Sequence, residues 1–403
     1  KENLVPGLKV GKSGIEYSNE KALIGKYGIK RYEVNSSGKR ISQLEHIKES
    51  QGISIKTTLD LEVQKFAQEL LKGQAGSICA MDIYTGEVIA MASSPTYDPN
   101  KFTHGIGHKD WGEIRDNPLK PLVNKSVAGL YSPGSTLKPL VALAALEFGT
   151  IDPEKSIQCK GHKHPYELYG VKYHCWKKNG HGYMKLRNAI KQSCDIYFYE
   201  MARILGVDKL SIIAKRYGLG SNILKDVYFD EKQGVVPNTE WKKNAIGKSW
   251  YLGETVINGI GQGYIQTTPL QLCLMTAQIA NGGFEIKPRI IFDEKNDNLR
   301  NYLKYKNENL NEPLPTDLLV SNFDLKPLFK NQEHINLIKD AMFSSSNEPG
   351  GTSYRHRFEN PKYTFAGKTG SSQIKRFTEA QREAEVKQES LPYKDRDHAL
   401  FVA

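Results

Sequence analysis

Ser132-Pro133-Gly134-Ser135-Thr136-Leu137-Lys138 sets a hydroxyl and an amine three residues apart, behind a Pro-Gly turn and ahead of the apolar run Val141 to Phe148. That run predicts a buried helix. On a helix, positions i and i+3 share a face, so Lys138 can lie beside Ser135. If burial or a neighbouring cation holds the amine neutral, it can take the hydroxyl proton and make Ser135 a nucleophile. Taken alone, the same letters equally describe a helix start capped by serine with a solvated lysine.

Two later segments change the reading. Ser193-Cys194-Asp195 follows, and Lys368-Thr369-Gly370-Ser371 comes near the C-terminus behind Tyr363 to Gly367, a stretch that reads as a strand. S-x-x-K, then S-x-N or S-x-D, then K-T-G, in this order, resembles the signature of penicillin-binding proteins and serine β-lactamases. Further similarity lies in Tyr97-Asp98-Pro99-Asn100, Gly261-Gln262-Gly263 with Thr268-Pro269-Leu270-Gln271, and Asn281-Gly282-Gly283, so that most of the chain is covered. It is most similar to the class B penicillin-binding proteins. Asp195, where most relatives carry asparagine, resembles the penicillin-binding protein 2 branch that serves rod elongation.

The resemblance implies an α+β fold: a transpeptidase domain of antiparallel sheet with flanking helices, preceded by a small pedestal. It implies that Ser135 attacks the penultimate D-alanine carbonyl of a D-Ala-D-Ala stem peptide, that β-lactams acylate the same serine, and that the chemistry needs no cofactor. Lys138 would be the neutral base, depressed by the nearby cation Lys368. Lys368 would stay charged and attract the substrate carboxylate, with Thr369 donating a further hydrogen bond. Ser193 would relay the proton to the departing amine beside Asp195. The backbone N–H groups of Ser135 and Ser371, the latter following Gly370, would form the oxyanion hole.

The chain's organisation fits that division. Residues 1–54 hold ten Lys/Arg against six Glu, with scattered Gly, Ser and Asn and few apolar residues. They resemble the last part of a class B pedestal, with a hairpin around Tyr32 to Gly38, while a generic basic linker is the alternative. Residues 55–403 would form the packed domain. Its first helix should begin at Thr58 or Asp60 and stop at Gly73, with Leu61, Phe66, Ala67, Leu70 and Leu71 as its inner face. Ser77 to Ile83 and Glu87 to Ser93 read as a hairpin, and helices are expected after Ser135 and over Leu186 to Leu205. Asp293 to Lys330 reads as a polar surface insertion and residues 376–397 as a solvated, charge-dense segment.

A net charge of +11 suits a membrane surface, an anionic substrate or nucleic acid. No basic tract interleaved with aromatics and no nucleotide-binding glycine loop is present, which argues against nucleic-acid and nucleotide chemistry. No eighteen-residue apolar run occurs. Because the sequence opens at Lys1 and closes on the strand-like His398 to Ala403, an N-terminal membrane helix before it and more strand after it are expected. The catalytic domain would then sit on the periplasmic face of a bacterial inner membrane. Family resemblance implies lipid-linked peptidoglycan precursors, a RodA-type polymerase and an MreC-type scaffold as partners.

Cysteines suggest a second site. Cys79 and Cys273 lie in apolar surroundings and read as buried thiols. Cys159, Cys175, His181 and Cys194 form a Cys3His set in a polar segment that also holds His162, His164 and His174. Such a set suits structural zinc, which would fix the loop carrying Ser193 and Asp195. A disulfide between two of the thiols and three unligated thiols are the alternatives.

Two other functions compete. A β-lactamase or penicillin sensor would need a base that activates water, and Glu254 with Asn258 has a suitable spacing. A non-catalytic scaffold of the same fold would be expected to have a broken motif, and all three motifs are intact.

Overall fold

In the computed structural model, which describes residues 9–103, 105–294, 326–375 and 387–403, the basic N-terminal segment forms a two-stranded ribbon. Strands β1 (Ile29–Val34) and β2 (Arg40–Ile47) pair antiparallel, with Ile29 opposite Ile47. Too few apolar residues flank the ribbon to bury either face, and Val34, Ile41 and Leu44 stay exposed. Its base closes through paired hydrogen bonds between Lys26 and Ser50, and the Tyr17 ring rests against Phe229, 5.7 Å away, on the following domain.

The helix Leu61–Leu70 starts at Asp60, whose Oδ1 accepts the N–H groups of Glu62 and Val63. Its expected apolar inner face is not the buried one. Leu61, Phe66 and Leu70 are each at least 60% exposed, and among its residues Ala67 is the buried one. The helix instead lies on a strand edge that needs polar partners: Gln64 exchanges two hydrogen bonds with the backbone of Met91, and Gln68 donates to Ser93 O. Small Ala67 permits that approach, and the unpaired edge outweighs the apolar periodicity.

That edge belongs to a hairpin of β3 (Gly76–Met81) and β4 (Val88–Ser94), whose turn is fastened by Asp82 Oδ1 accepting from Tyr84 and Thr85 N–H. Val88, Ala90 and Ala92 alternate inward, and Met81 and Val88 join Leu270, Leu274 and Ala277 of the helix Pro269–Ala280 in one apolar cluster.

The larger core surrounds the helix Lys138–Glu147, every residue of which is buried. It is apolar around its whole circumference and is therefore covered on all sides, by the helices Asp195–Leu205, Val207–Arg216 and Gln332–Asn347. Between it and Asp195 the chain makes a knuckle of two short ladders: β5 (Ile157–Cys159) with β8 (Gly182–Met184), and β6 (Tyr166–Leu168) with β7 (Val171–Tyr173). A further antiparallel pair, β9 (Lys368–Ser372) with β10 (His398–Val402), sets Lys368 opposite Val402.

Tyr363 to Gly367, expected as a strand, is not one; Pro361–Tyr363 is a 3-10 turn and the strand begins at Lys368. Phe365 packs edge-on against Phe358 and Phe401, each 5.9 Å away, and Gly367 N–H bonds to Met342 O, so side-chain packing and a helix carbonyl claim this segment. Residues 295–325 of the expected insertion and 376–386 of the charge-dense segment lie outside the described residues. Helices and antiparallel pairs without strict alternation make the α+β architecture read from the sequence.

Candidate active site

Three segments distant in sequence converge because glycines let their backbones touch. Ser135 is half-buried in the 3-10 turn Gly134–Leu137 that leads into the buried helix. Gly134 has φ +54°, its N–H bonds to Gly261 O at 2.8 Å, and a Cβ there would collide with the Ser371 backbone. Gly261 has φ +73°, and a Cβ on it would strike Gly134. The nucleophile turn is thus clamped between β9 and the Gly-Gln-Gly loop at a spacing that no side chain fits. Gln262 of that loop donates from Nε2 to Ser371 O at 2.8 Å. Gly370 packs its backbone against Thr136.

Lys138 is fully buried. Its Nζ donates to Ser193 O at 2.9 Å, Ser193 Oγ at 3.1 Å and Asp195 Oδ1 at 2.7 Å, and lies 5.3 Å from the Phe198 ring centre. All three ammonium donors are engaged, and none of these bonds runs to Ser135 Oγ. No hydrogen bond from Lys138 to Ser135 is therefore found among the described residues: the carboxylate of Asp195 holds the amine towards the second motif. Burial pushes the Asp195 carboxyl up, opposed by Lys138.

Lys368 is also fully buried, and its Nζ donates to Thr369 O at 2.9 Å. Its pKa is driven far below the usual lysine value, first by desolvation and then by the charge of Lys138. The sequence reading expected the charge of Lys368 to depress Lys138; in the structure the charge of Lys138 acts to lower Lys368. Lys138 has a carboxylate at 2.7 Å and Lys368 has none, so the cost of burial falls on Lys368. Thr369 Oγ1 donates to Thr352 Oγ1 at 2.8 Å, and Thr352 N–H reaches Lys191 O at 3.2 Å. Thr352, which no sequence motif had marked, thereby ties β9 to the helix Leu186–Lys191 just before Ser193.

The four residues of the second site also converge. Ligand atoms of Cys159, Cys175, His181 and Cys194 all lie within 4.8 Å of one another, and all four residues are buried. His181 Nδ1 faces the sulfurs of Cys175 at 3.4 Å and Cys159 at 3.6 Å. Sulfur hydrogen bonds from Cys175 and Cys194 pull the Cys159 thiol down to about 2, while the same sharing with Cys159 pushes Cys194 up. Crowded thiols cannot all ionise without a cation among them, and three sulfurs with one imidazole nitrogen are the donor set of a closed tetrahedral zinc site. His162 and His174 meet edge-to-face, ring centres 5.6 Å apart, outside this set.

Glu254 is committed elsewhere. Oε1 pairs with buried Lys242 and accepts from Tyr264 OH, while Oε2 accepts the Tyr251 N–H, so the carboxylate is engaged in fastening its own helix start.

Comparison with known proteins agrees with this geometry. Residues 76–391 match the penicillin binding protein transpeptidase domain, and residues 1–57 match the penicillin-binding protein dimerisation domain. The chain is 32% identical over 404 residues to "Peptidoglycan D,D-transpeptidase MrdA" of Salmonella typhimurium, covering 100% of this chain and 61% of that protein. It thus spans about three fifths of the length of this curated relative. Among solved structures, penicillin-binding protein 2 of Helicobacter pylori in complex with MreC superposes with a TM-score of 0.79 at 30% identity, covering 97% of this chain and 65% of that one. Penicillin-binding protein 2 of Pseudomonas aeruginosa gives 0.76 at 33% identity, covering 99% and 78%.

Proposed function

Because this chain belongs to the penicillin-binding protein transpeptidase family, we propose that it is a peptidoglycan D,D-transpeptidase in which Ser135 forms an acyl-enzyme with D-Ala-D-Ala stem peptides and with β-lactams. The observation that carries the reading is the meeting of all three motifs: buried Lys138 bonded to Ser193 and Asp195, with Lys368 buried beside it and β9 against the Ser135 turn. Residues 1–54 serve as part of the pedestal and 55–403 as the catalytic domain.

Lys138 must reach the reaction as an amine. Its 2.7 Å bond to Asp195 and its bond to Ser193 Oγ hold it at the second motif, and as a neutral amine it can take the Ser135 proton. The new alkoxide attacks the carbonyl, and the oxyanion meets the N–H groups of Ser135 and Ser371. Ser193 Oγ, already bonded to Lys138, hands the proton to the departing D-alanine amine; an acceptor amine from a second strand then takes the acyl group. Lys368 attracts the substrate's carboxylate, which Thr369 and Gly370 help to seat.

Cys159, Cys175, His181 and Cys194 are the residues that would hold structural zinc. With four protein ligands it leaves no open position, so its contribution is to fix the knuckle against Cys194. An MreC-type scaffold and a RodA-type polymerase are proposed as partners, the first supported by the Helicobacter pylori neighbour, and the periplasmic face of the inner membrane is the proposed location. Among the described residues no helix is long and apolar enough to cross a membrane.

Mass spectrometry of a labelled-penicillin adduct tests the activity. A stable adduct on Ser135 that Ser135→Ala abolishes is the expected result. Turnover within seconds would instead indicate a hydrolase, and labelling that survives Ser135→Ala would overturn the proposal.

A further inference from the structure

We propose that Trp176 is a positioning residue for acylation, its indole N–H holding the backbone of Ser193 in the geometry that presents Ser193 Oγ to Lys138. The inference rests on the transpeptidase reading above and assigns a role to a residue outside the three motifs.

Ser193 has φ +56°, the left-handed region in which a side chain is strained. Such a conformation persists only where its surroundings enforce it. The carbonyl of Ser193 accepts two hydrogen bonds, from Lys138 Nζ at 2.9 Å and from Trp176 Nε1 at 2.9 Å. Trp176 also donates its backbone N–H to Asp195 Oδ2 at 3.0 Å, so one residue of the knuckle grips both polar members of the second motif. The remaining Asp195 oxygen is left for Lys138.

Packing does not account for this tryptophan. Its side chain is 57% exposed, and the ring contact it makes is an edge-on one with His181, 5.3 Å between centres. A large aromatic at that exposure is held by its N–H, not by burial. The two donors on Ser193 O also differ in kind. Lys138 changes its hydrogen-bonding capacity when it gives up a proton, whereas an indole N–H does not titrate. As Lys138 turns to serve the reaction, the indole remains to keep Ser193 in its strained backbone state and Ser193 Oγ within reach of the amine.

Replacing the indole N–H by sulfur isolates that bond. Trp176 is exchanged for 3-benzothienylalanine in the intact, metal-loaded protein, with Trp176→Phe and Ser135→Ala in parallel. The acylation rate constant at saturating labelled penicillin, the half-saturating concentration, the zinc content and the melting temperature are read together. Both Trp176 variants should acylate about tenfold more slowly, as expected for one lost hydrogen bond to a positioned group. Half-saturation should change less than about twofold, and zinc content and melting temperature of the sulfur isostere should match the parent. An isostere that acylates as fast as the parent would overturn the proposal, as would slow acylation accompanied by lost metal or a lowered melting temperature, which would make Trp176 part of the knuckle's stability alone. If Ser135→Ala still takes label, the transpeptidase reading itself fails; if it is inert while the isostere is fast, only the role of Trp176 falls.

Discussion

On one side of the tripeptide Ser193-Cys194-Asp195, Ser193 and Asp195 bond to Lys138 near a second buried lysine; on the other, Cys194 meets two more thiols and a histidine. The two clusters share a backbone and differ in how they tolerate burial. In the first, one ammonium has a carboxylate and the other has none, which leaves an unmet demand for an anion. In the second, three thiols and an imidazole are crowded together as a donor set that suits a metal. The first demand is suited to a transient ligand that arrives with a carboxylate, and the second to a permanent one. The two clusters are thus joined through a single peptide segment.

Removing the base should produce the largest effect. Lys138→Met should slow penicillin acylation by at least about a thousandfold and leave Asp195 buried without its partner. Adding Asp195→Asn should recover melting temperature but not acylation, and recovery of both would show that the lysine is not the base. Breaking the other cluster comes next. Cys159→Ser lies outside the three motifs, yet should release zinc and slow acylation about ten- to a hundredfold. Full activity in a metal-free Cys159→Ser protein would show that the two clusters are neighbours and nothing more.

Lys368→Met sharpens the contrast because stability and activity should move in opposite directions. Below the ordinary lysine value the unfolded chain holds a proton that the fold disfavours at Lys368, so the parent loses stability as pH falls from about 10 towards the depressed folded value. The variant should therefore melt higher than the parent at pH 7, with the gap closing towards pH 10, while acylation is lost. A variant that melts lower at pH 7 would mean that Lys368 is not strained by burial.

The smallest effect should come from the frame. Glu348 bonds to Arg187 and Lys191 on the helix before Ser193, and those two cations, Arg187 first, hold its carboxyl down at about 2. Its depressed pKa gives stability that is present above the ordinary carboxylate value and lost as pH falls towards about 2. Glu348→Gln should lower the melting temperature by no more than a few degrees at pH 7, since the group is largely solvent-screened. The difference should vanish near pH 2, and a gap that persists there would assign the effect to packing.

Which parts were legible follows from the range of the forces involved. Asp60 as a helix cap, the hairpin around Tyr84 to Gly86 and the all-apolar helix after Lys138 depend on neighbours a few residues away. The motif residues and the Cys3His set were found by residue type and order. The inner face of Leu61–Leu70 was misread because the edge of β4 asked for Gln64 and Gln68, a demand that comes from another element. The strand expected over Tyr363 to Gly367 failed for the same reason, as aromatic packing with Phe358 and Phe401 took it.

By itself the amino-acid order determined the α+β class, the candidate reactive side chains and the donor set around Cys194, since these rest on local preference and chemical type. Only the tertiary structure decided that Asp195 rather than Ser135 accepts from the Lys138 amine, that burial weighs on Lys368 without a bonded carboxylate, and that Trp176 and Thr352 hydrogen-bond to the two later motifs. Those outcomes depend on distances and on exclusion of water between segments far apart in the chain, and a linear sequence carries neither.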